Sequence, residues 1–134
     1  MARILVVDDD QVLRNIMARH LSAHGYEVVT AAGGMEALKI LDTLTPDLMT
    51  LDIGMPGMNG YEVCRIIRKE SPVKSLPILI ISGNTHPEDQ TKAFEMGADK
   101  YITKPFEMTE VLLAIKTLLD RNKVRSQAWD KAAV

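Results

Sequence analysis

Four short runs of Val, Ile and Leu stand out along the chain: "RILVV" at 3–7, "LMTL" at 48–51, "PILIIS" at 77–82 and "YIT" at 101–103. A weaker fifth, "YEVVTA", lies at 26–31. Residues 4–7 and 78–81 are continuously apolar rather than alternating. That pattern belongs to parallel strands covered on both faces. The intervening segments carry helical periodicity. "QVLRNIMARHLSAHG" places Val12, Leu13, Ile16, Met17 and Leu21 on one stripe and ends in Gly25 as a cap. "GGMEALKILDTL" repeats the pattern with Ala37, Leu38 and Leu41, and "YEVCRIIRKE" with Val63, Ile66 and Ile67. "PEDQTKAFEMG" is more polar and ends in Gly97, whereas "MTEVLLAIKTLLDRNKV" is long and strongly amphipathic. Strands alternating with helices, at about 30 residues per βαβ unit, predict an α/β fold: a doubly wound, five-stranded parallel sheet with five helices. Right-handed crossovers then put helices on both faces.

Length and composition narrow the picture without changing it. The 134 residues fit one domain with a core of its own. We place that domain at 1–120, with 121–134, including the lone Trp129, as a C-terminal helix extension, linker or tail. A net charge of −2 argues against nonspecific binding to nucleic acid or to an anionic membrane. The lone Cys64 cannot form an internal disulfide and suits a reducing compartment. "MARILVVDDD" turns acidic too early for a secretory leader, and no apolar run reaches the ~18 residues of a membrane span. A cytoplasmic location is expected.

The chemistry lies at the strand ends. In open α/β sheets, ligands bind outside the carboxyl ends of the strands. The first strand runs into Asp8-Asp9-Asp10, the third into Asp52, the fourth ends in Ser82, and the fifth runs into Lys104-Pro105. Taken singly, each has a bland explanation. An Asp at a strand end is more often a helix cap or turn former, and Asp10 is expected to cap the first helix. Together they are harder to dismiss. Carboxylates about 4 Å apart repel by roughly 4 kcal/mol per pair at an effective dielectric of about 20. A divalent cation relieves this, and an all-oxygen site favours Mg²⁺, Ca²⁺ or Mn²⁺. A carboxylate nucleophile, a hard metal, a fixed cation and a hydroxyl form a set suited to phosphoryl transfer onto Asp52. Gly54, Pro56, Gly57 and Gly60 bend the backbone after Asp52, leaving space for a phosphoryl group and turning a carbonyl toward a metal.

The motifs "ILVVDDD", "LDIGMPGMNG", "ILIISG" and "DKYITKPF", in that order, resemble the receiver domain of two-component response regulators, of the chemotaxis-regulator kind, over about residues 3–119. The resemblance implies a flavodoxin-like sheet of order 2-1-3-4-5. It implies Asp52 as phosphoacceptor, with Asp9, Asp52 and the Gly54 carbonyl holding Mg²⁺ (Mn²⁺ as a substitute) and Asp8 acting through water. It further implies that Ser82 and Lys104 contact the phosphoryl oxygens, that Tyr101 is an aromatic switch residue, and that Lys104–Pro105 is a cis peptide. The donor would be a sensor histidine kinase or a histidine phosphotransfer protein. The output would be a downstream protein bound on the face of the fourth helix, fifth strand and fifth helix, with no direct nucleic-acid or membrane contact. Such a domain is a regulatory phosphoacceptor, not a turnover enzyme, although it promotes its own phosphorylation and dephosphorylation. Lys100 and Ala114 stand where many regulators with winged-helix outputs carry an acid and an arginine, so an output of that type is not expected.

Use as a stand-alone receiver is favoured, with the N-terminal receiver of a longer regulator as the alternative. A haloacid-dehalogenase-like phosphohydrolase is remote, because the second Asp it needs is replaced by Gly54. A flavin carrier of the same topology wants a hydroxyl-rich phosphate loop where "DDDQ" would repel a phosphate. A degenerate receiver acting only as a scaffold would have no use for the intact acid, hydroxyl and lysine set.

Overall fold

The structure, a computed structural model, describes residues 1–132 apart from Ser71, Pro72, Lys74 and Thr85, with side chains described as far as Arg121. Among these residues the order is β1 (Arg3–Val7), α1 (Gln11–Ala23), β2 (Glu27–Ala31), α2 (Gly34–Thr43), β3 (Leu48–Leu51), α3 (Gly60–Glu70), β4 (Ile78–Ser82), α4 (Pro87–Glu95), β5 (Lys100–Thr103) and α5 (Met108–Ala132). The strands form one sheet of order β2-β1-β3-β4-β5, and every pairing is parallel. The expected fold class and strand order are both observed. Helix α5 runs on into the tail; the side chains of 122–132, Trp129 among them, and residues 133–134 lie outside the described residues.

Successive strand residues face opposite sides of the sheet, which divides the core in two. Leu5, Val7, Met49, Leu51, Ile78 and Ile80 face α2, α3 and α4, where they meet Ala37, Leu41, Val63, Ile67 and Ala93. Ile4, Val6, Leu48, Leu79 and Ile81 face α1 and α5, where they meet Met17, Leu21, Val111, Ile115 and Leu118. β3 and β4 are buried along their whole length, hence their unbroken apolar runs. Full burial of one such Leu or Ile side chain stabilises by about 1.5–3 kcal/mol.

One helical stripe is narrower than its periodicity implied. Met17 and Leu21 are buried, but Val12 is 67% and Ile16 44% exposed. Helix α1 packs on β1 and β2, and the early positions of its stripe turn to solvent beside the strand ends. Ala37, Leu41, Val63 and Ile67 are buried as expected. The cap of α1 is also as expected, with the Asp10 carboxylate accepting the Leu13 N–H at 3.2 Å.

Gly60, the last of the three glycines after β3, is required by close packing. A Cβ there would lie 2.6 Å from the Ile53 Cα and 2.8 Å from the Asp52 carbonyl oxygen. Only a residue without a side chain lets α3 begin this close to the end of β3. Gly60→Ala is therefore expected to lose about 1–3 kcal/mol. Gly33→Ala, where a Cβ meets nothing within 4 Å, should lose only the difference between the two residues at a helix N-cap, about 0.5–1 kcal/mol. Urea unfolding measures both.

Candidate functional site

Parallel register brings the acids together. Val7 pairs with Leu51, so the next residues on the two strands, Asp8 and Asp52, end neighbouring strands. Strands in a sheet lie about 4.8 Å apart. The Asp52 N–H donates to the Val7 carbonyl at 3.1 Å, extending the ladder one step into the site. On the other side Ser82 pairs with Thr103, which puts Lys104 just beyond, its N–H donating to the Ser82 carbonyl at 2.8 Å. The Lys104–Pro105 peptide is cis, as the resemblance implied.

Asp8, Asp9 and Asp52 each bring a carboxylate oxygen into one group, all within 4.8 Å of one another. Asp8 and Asp52 are buried, and Asp9 is exposed. The Lys104 ammonium donates to Asp8 Oδ2 at 2.9 Å and to Asp52 Oδ2 at 3.3 Å. The remaining carboxylate oxygens are held by backbone. Asp8 Oδ1 accepts the Asp10 N–H at 2.9 Å, and Asp52 Oδ1 accepts the Gly54 N–H at 3.0 Å. One ammonium against three carboxylates leaves the cluster two negative charges in excess, which a divalent cation would balance. The donors are all oxygen, the set preferred by hard cations.

Burial alone would lower the Lys104 pKa. The hydrogen bond it donates to Asp8 and the charges of Asp52 and Asp8 outweigh it and hold the ammonium above its ordinary 10.5. Its stabilising contribution is thus complete below the ordinary lysine value and is lost as pH rises through the higher folded one.

Ser82 is buried, and its Oγ accepts the Asn84 N–H at 3.2 Å. The Tyr101 hydroxyl donates to the Asn84 carbonyl at 2.8 Å, and burial raises its pKa. Asn84 therefore links the two residues named as a switch pair, a connection absent from the sequence reading. Arg14 was missed as well. Its Nη1 donates to the Asp8 carbonyl at 2.7 Å and pins the acidic turn from α1. The sequence offered one signal for it, a cation one helical turn after the cap Asp10. Cys64 takes no part, since burial pushes its thiol up to about 12.

Residues 4–116 match the family described as the response regulator receiver domain. The chain belongs to that family. A receiver domain is a phosphoacceptor regulatory domain, not a catalytic enzyme. The probable transcriptional regulator ycf27 of Cyanophora paradoxa is 44% identical over 121 residues, which are 90% of this chain and 49% of that protein. This receiver spans about half the length of the curated relatives it matches. Among solved structures, chemotaxis protein CheY4 of Vibrio cholerae superposes with a TM-score of 0.83 at 35% identity, covering 88% of this chain and 98% of that one. TrrA of Thermotoga maritima, solved in complex with Mg²⁺ and BeF, superposes with a TM-score of 0.79 at 38% identity, covering 88% and 99%.

Two substitutions separate the roles of the charges. Asp9→Ala removes an exposed carboxylate from a cluster with excess negative charge, so the metal-free domain should stay within about 0.5 kcal/mol of wild type or gain slightly. Lys104→Met leaves Asp8 and Asp52 facing each other without their cation and should cost about 2–4 kcal/mol at pH 7. Thermal melts without divalent cations compare the two, and a melt series into alkaline pH should show a smaller loss of stability for Lys104→Met than for wild type.

Proposed function

We propose that this receiver accepts a phosphoryl group on Asp52 from a phosphohistidine of a sensor histidine kinase or phosphotransfer protein, in a Mg²⁺-dependent reaction. A carboxylate oxygen of Asp52 attacks phosphorus, the P–N bond breaks, and its electron pair stays on the imidazole nitrogen. The observation that carries this reading is the buried Asp52 carboxylate, fixed by Gly54 N–H and Lys104 at the centre of an acid cluster.

Asp9 and Asp52, with the Gly54 carbonyl, would hold the cation directly and Asp8 through water. Bound there, Mg²⁺ (or Mn²⁺) supplies charge neutralisation for the transferred group's oxygens. The rest falls to the protein. Lys104 meets the phosphoryl charge from the side of β5, and the Ser82 hydroxyl, one strand over, turns from the Asn84 N–H toward a phosphoryl oxygen. Tyr101, bonded to the Asn84 carbonyl, follows that change and carries it to the face of α4, β5 and α5. An open groove of about 430 Å³ lies on this face, with Phe94, Tyr101 and Leu113 along it. We assign it to a downstream protein target rather than to nucleic acid or membrane, in keeping with the net charge of −2. Among the described residues no helix is long and apolar enough to cross a membrane.

Intact mass after incubation with acetyl phosphate tests the assignment. Wild type with Mg²⁺ should gain one phosphoryl group. Asp52→Asn protein, and wild type in EDTA, should gain none. Equal labelling of Asp52→Asn would overturn Asp52 as acceptor.

A further inference from the structure

Helix α4 is attached very differently at its two ends. Along its length Ala93 is buried, and Phe94 is 48% exposed. Beyond its C-terminus the chain turns at Gly97, φ +109°, against Arg68 of α3; a Cβ there would lie 2.7 Å from the Arg68 Cγ. The Arg68 guanidinium donates to the Gly97 carbonyl from Nε at 3.1 Å and from Nη2 at 2.7 Å. It also donates to the Leu76 carbonyl at 2.7 Å and to Asp99 Oδ2 at 3.0 Å. Asp99 in turn accepts the Ile78 N–H at 2.8 Å and Arg121 of α5 at 2.9 Å. One charged network thus ties the end of α4 to α3, α5 and the starts of β4 and β5. Hydrogen bonds to charged groups are the strong ones, and the Arg68–Asp99 pair at the centre of this network is largely shielded from water.

The N-terminal end has nothing comparable among the described residues. Its cap, His86, makes no side-chain capping bond. The Tyr61 hydroxyl of α3 reaches Asp89 in the first turn, at 3.2 Å to the carboxylate and 3.3 Å to the carbonyl. One proton serves both, and both distances are long for an O–H donor. Lys92 lies 4.5 Å over the Tyr61 ring. Burial and Asp89 push the phenol up to about 12, so it remains a donor throughout the physiological range.

We propose that α4 swings about Gly97 and that the Tyr61 hydroxyl is the latch holding its first turn against α3 in the unphosphorylated state. This rests on Asp52 as phosphoacceptor and adds the mechanical element that its occupancy works against. Asp89 lies five residues beyond Asn84 in the chain, the residue joining Ser82 to Tyr101, so a change at the site reaches the weakly held end first. A bond made in the resting state and lost in the active one lowers affinity for whatever selects the active state, and removing it returns that factor.

Tyr61→Phe deletes the hydroxyl, keeps the ring under Lys92 and touches none of the residues placed in the site. The probe is Mg²⁺ with beryllofluoride, the combination bound to TrrA. Tyr61→Phe should bind it about 2–10-fold more tightly than wild type and should be phosphorylated faster by acetyl phosphate by a similar factor. In wild type, beryllofluoride should shift the amides of residues 88–92 and leave those of 96–99 in place. A purely structural role for the hydroxyl would lower the melting temperature with no gain in affinity, and that result overturns the latch. Shifts at 96–99 as large as those at 88–92 overturn the hinge. Failure of wild type to bind the mimic overturns the phosphoacceptor reading beneath both.

Discussion

Asp8 and Asp52 end neighbouring parallel strands, and the Lys104 ammonium holds their carboxylates together at 2.9 and 3.3 Å. Much of the molecule is arranged around that contact. Two buried carboxylates this close are tolerable only with a cation in reach, and Lys104, just past the end of β5, reaches them across the end of β4. With Asp9 added, the cluster still carries excess negative charge. An all-oxygen group with excess negative charge is chemically suited to a divalent cation.

The sheet supplies the precision. Three carboxylates on a flexible chain would move apart. Here the Val7–Leu51 pairing and the ladder bond from Asp52 N–H to the Val7 carbonyl fix the two buried ones, and backbone N–H groups from Asp10 and Gly54 orient them. The close start of α3 at Gly60 is part of the same frame, since its backbone lies against the Asp52 carbonyl. Rigid elements carry the reactive groups, while the less tightly packed α4 stands beside them. That division suits a protein whose output is a change of surface rather than a released product.

Val12 and Ile16 stand apart from this frame. They are apolar, they lie in the first half of α1, and the core leaves them exposed.

Much of this was legible in the residues themselves. Unbroken apolar strands require cover on both faces, which implies a parallel sheet and crossover helices, and parallel strands carry whatever follows them to one edge. That logic placed Asp8, Asp9, Asp52, Ser82 and Lys104 together before any coordinates. What the chain order could not reveal were contacts depending on how helices seat against the sheet. Periodicity marks a stripe but not its usable width, so Val12 and Ile16 looked like core. Asn84 acts through its own backbone N–H and carbonyl, and Arg14 through a bond to the Asp8 carbonyl, neither of which side-chain pattern records. Arg68 meets Gly97 and Asp99 only because α3 and α4 lie side by side, and a long side chain spans a separation in sequence that local pattern does not register. Local pattern and the charge at strand ends were determined by the sequence alone. The pairing of distant groups, and with it the unequal anchoring of α4, was decided by tertiary packing, because hydrogen bonds of that kind depend on distances that exist only once the layers have closed.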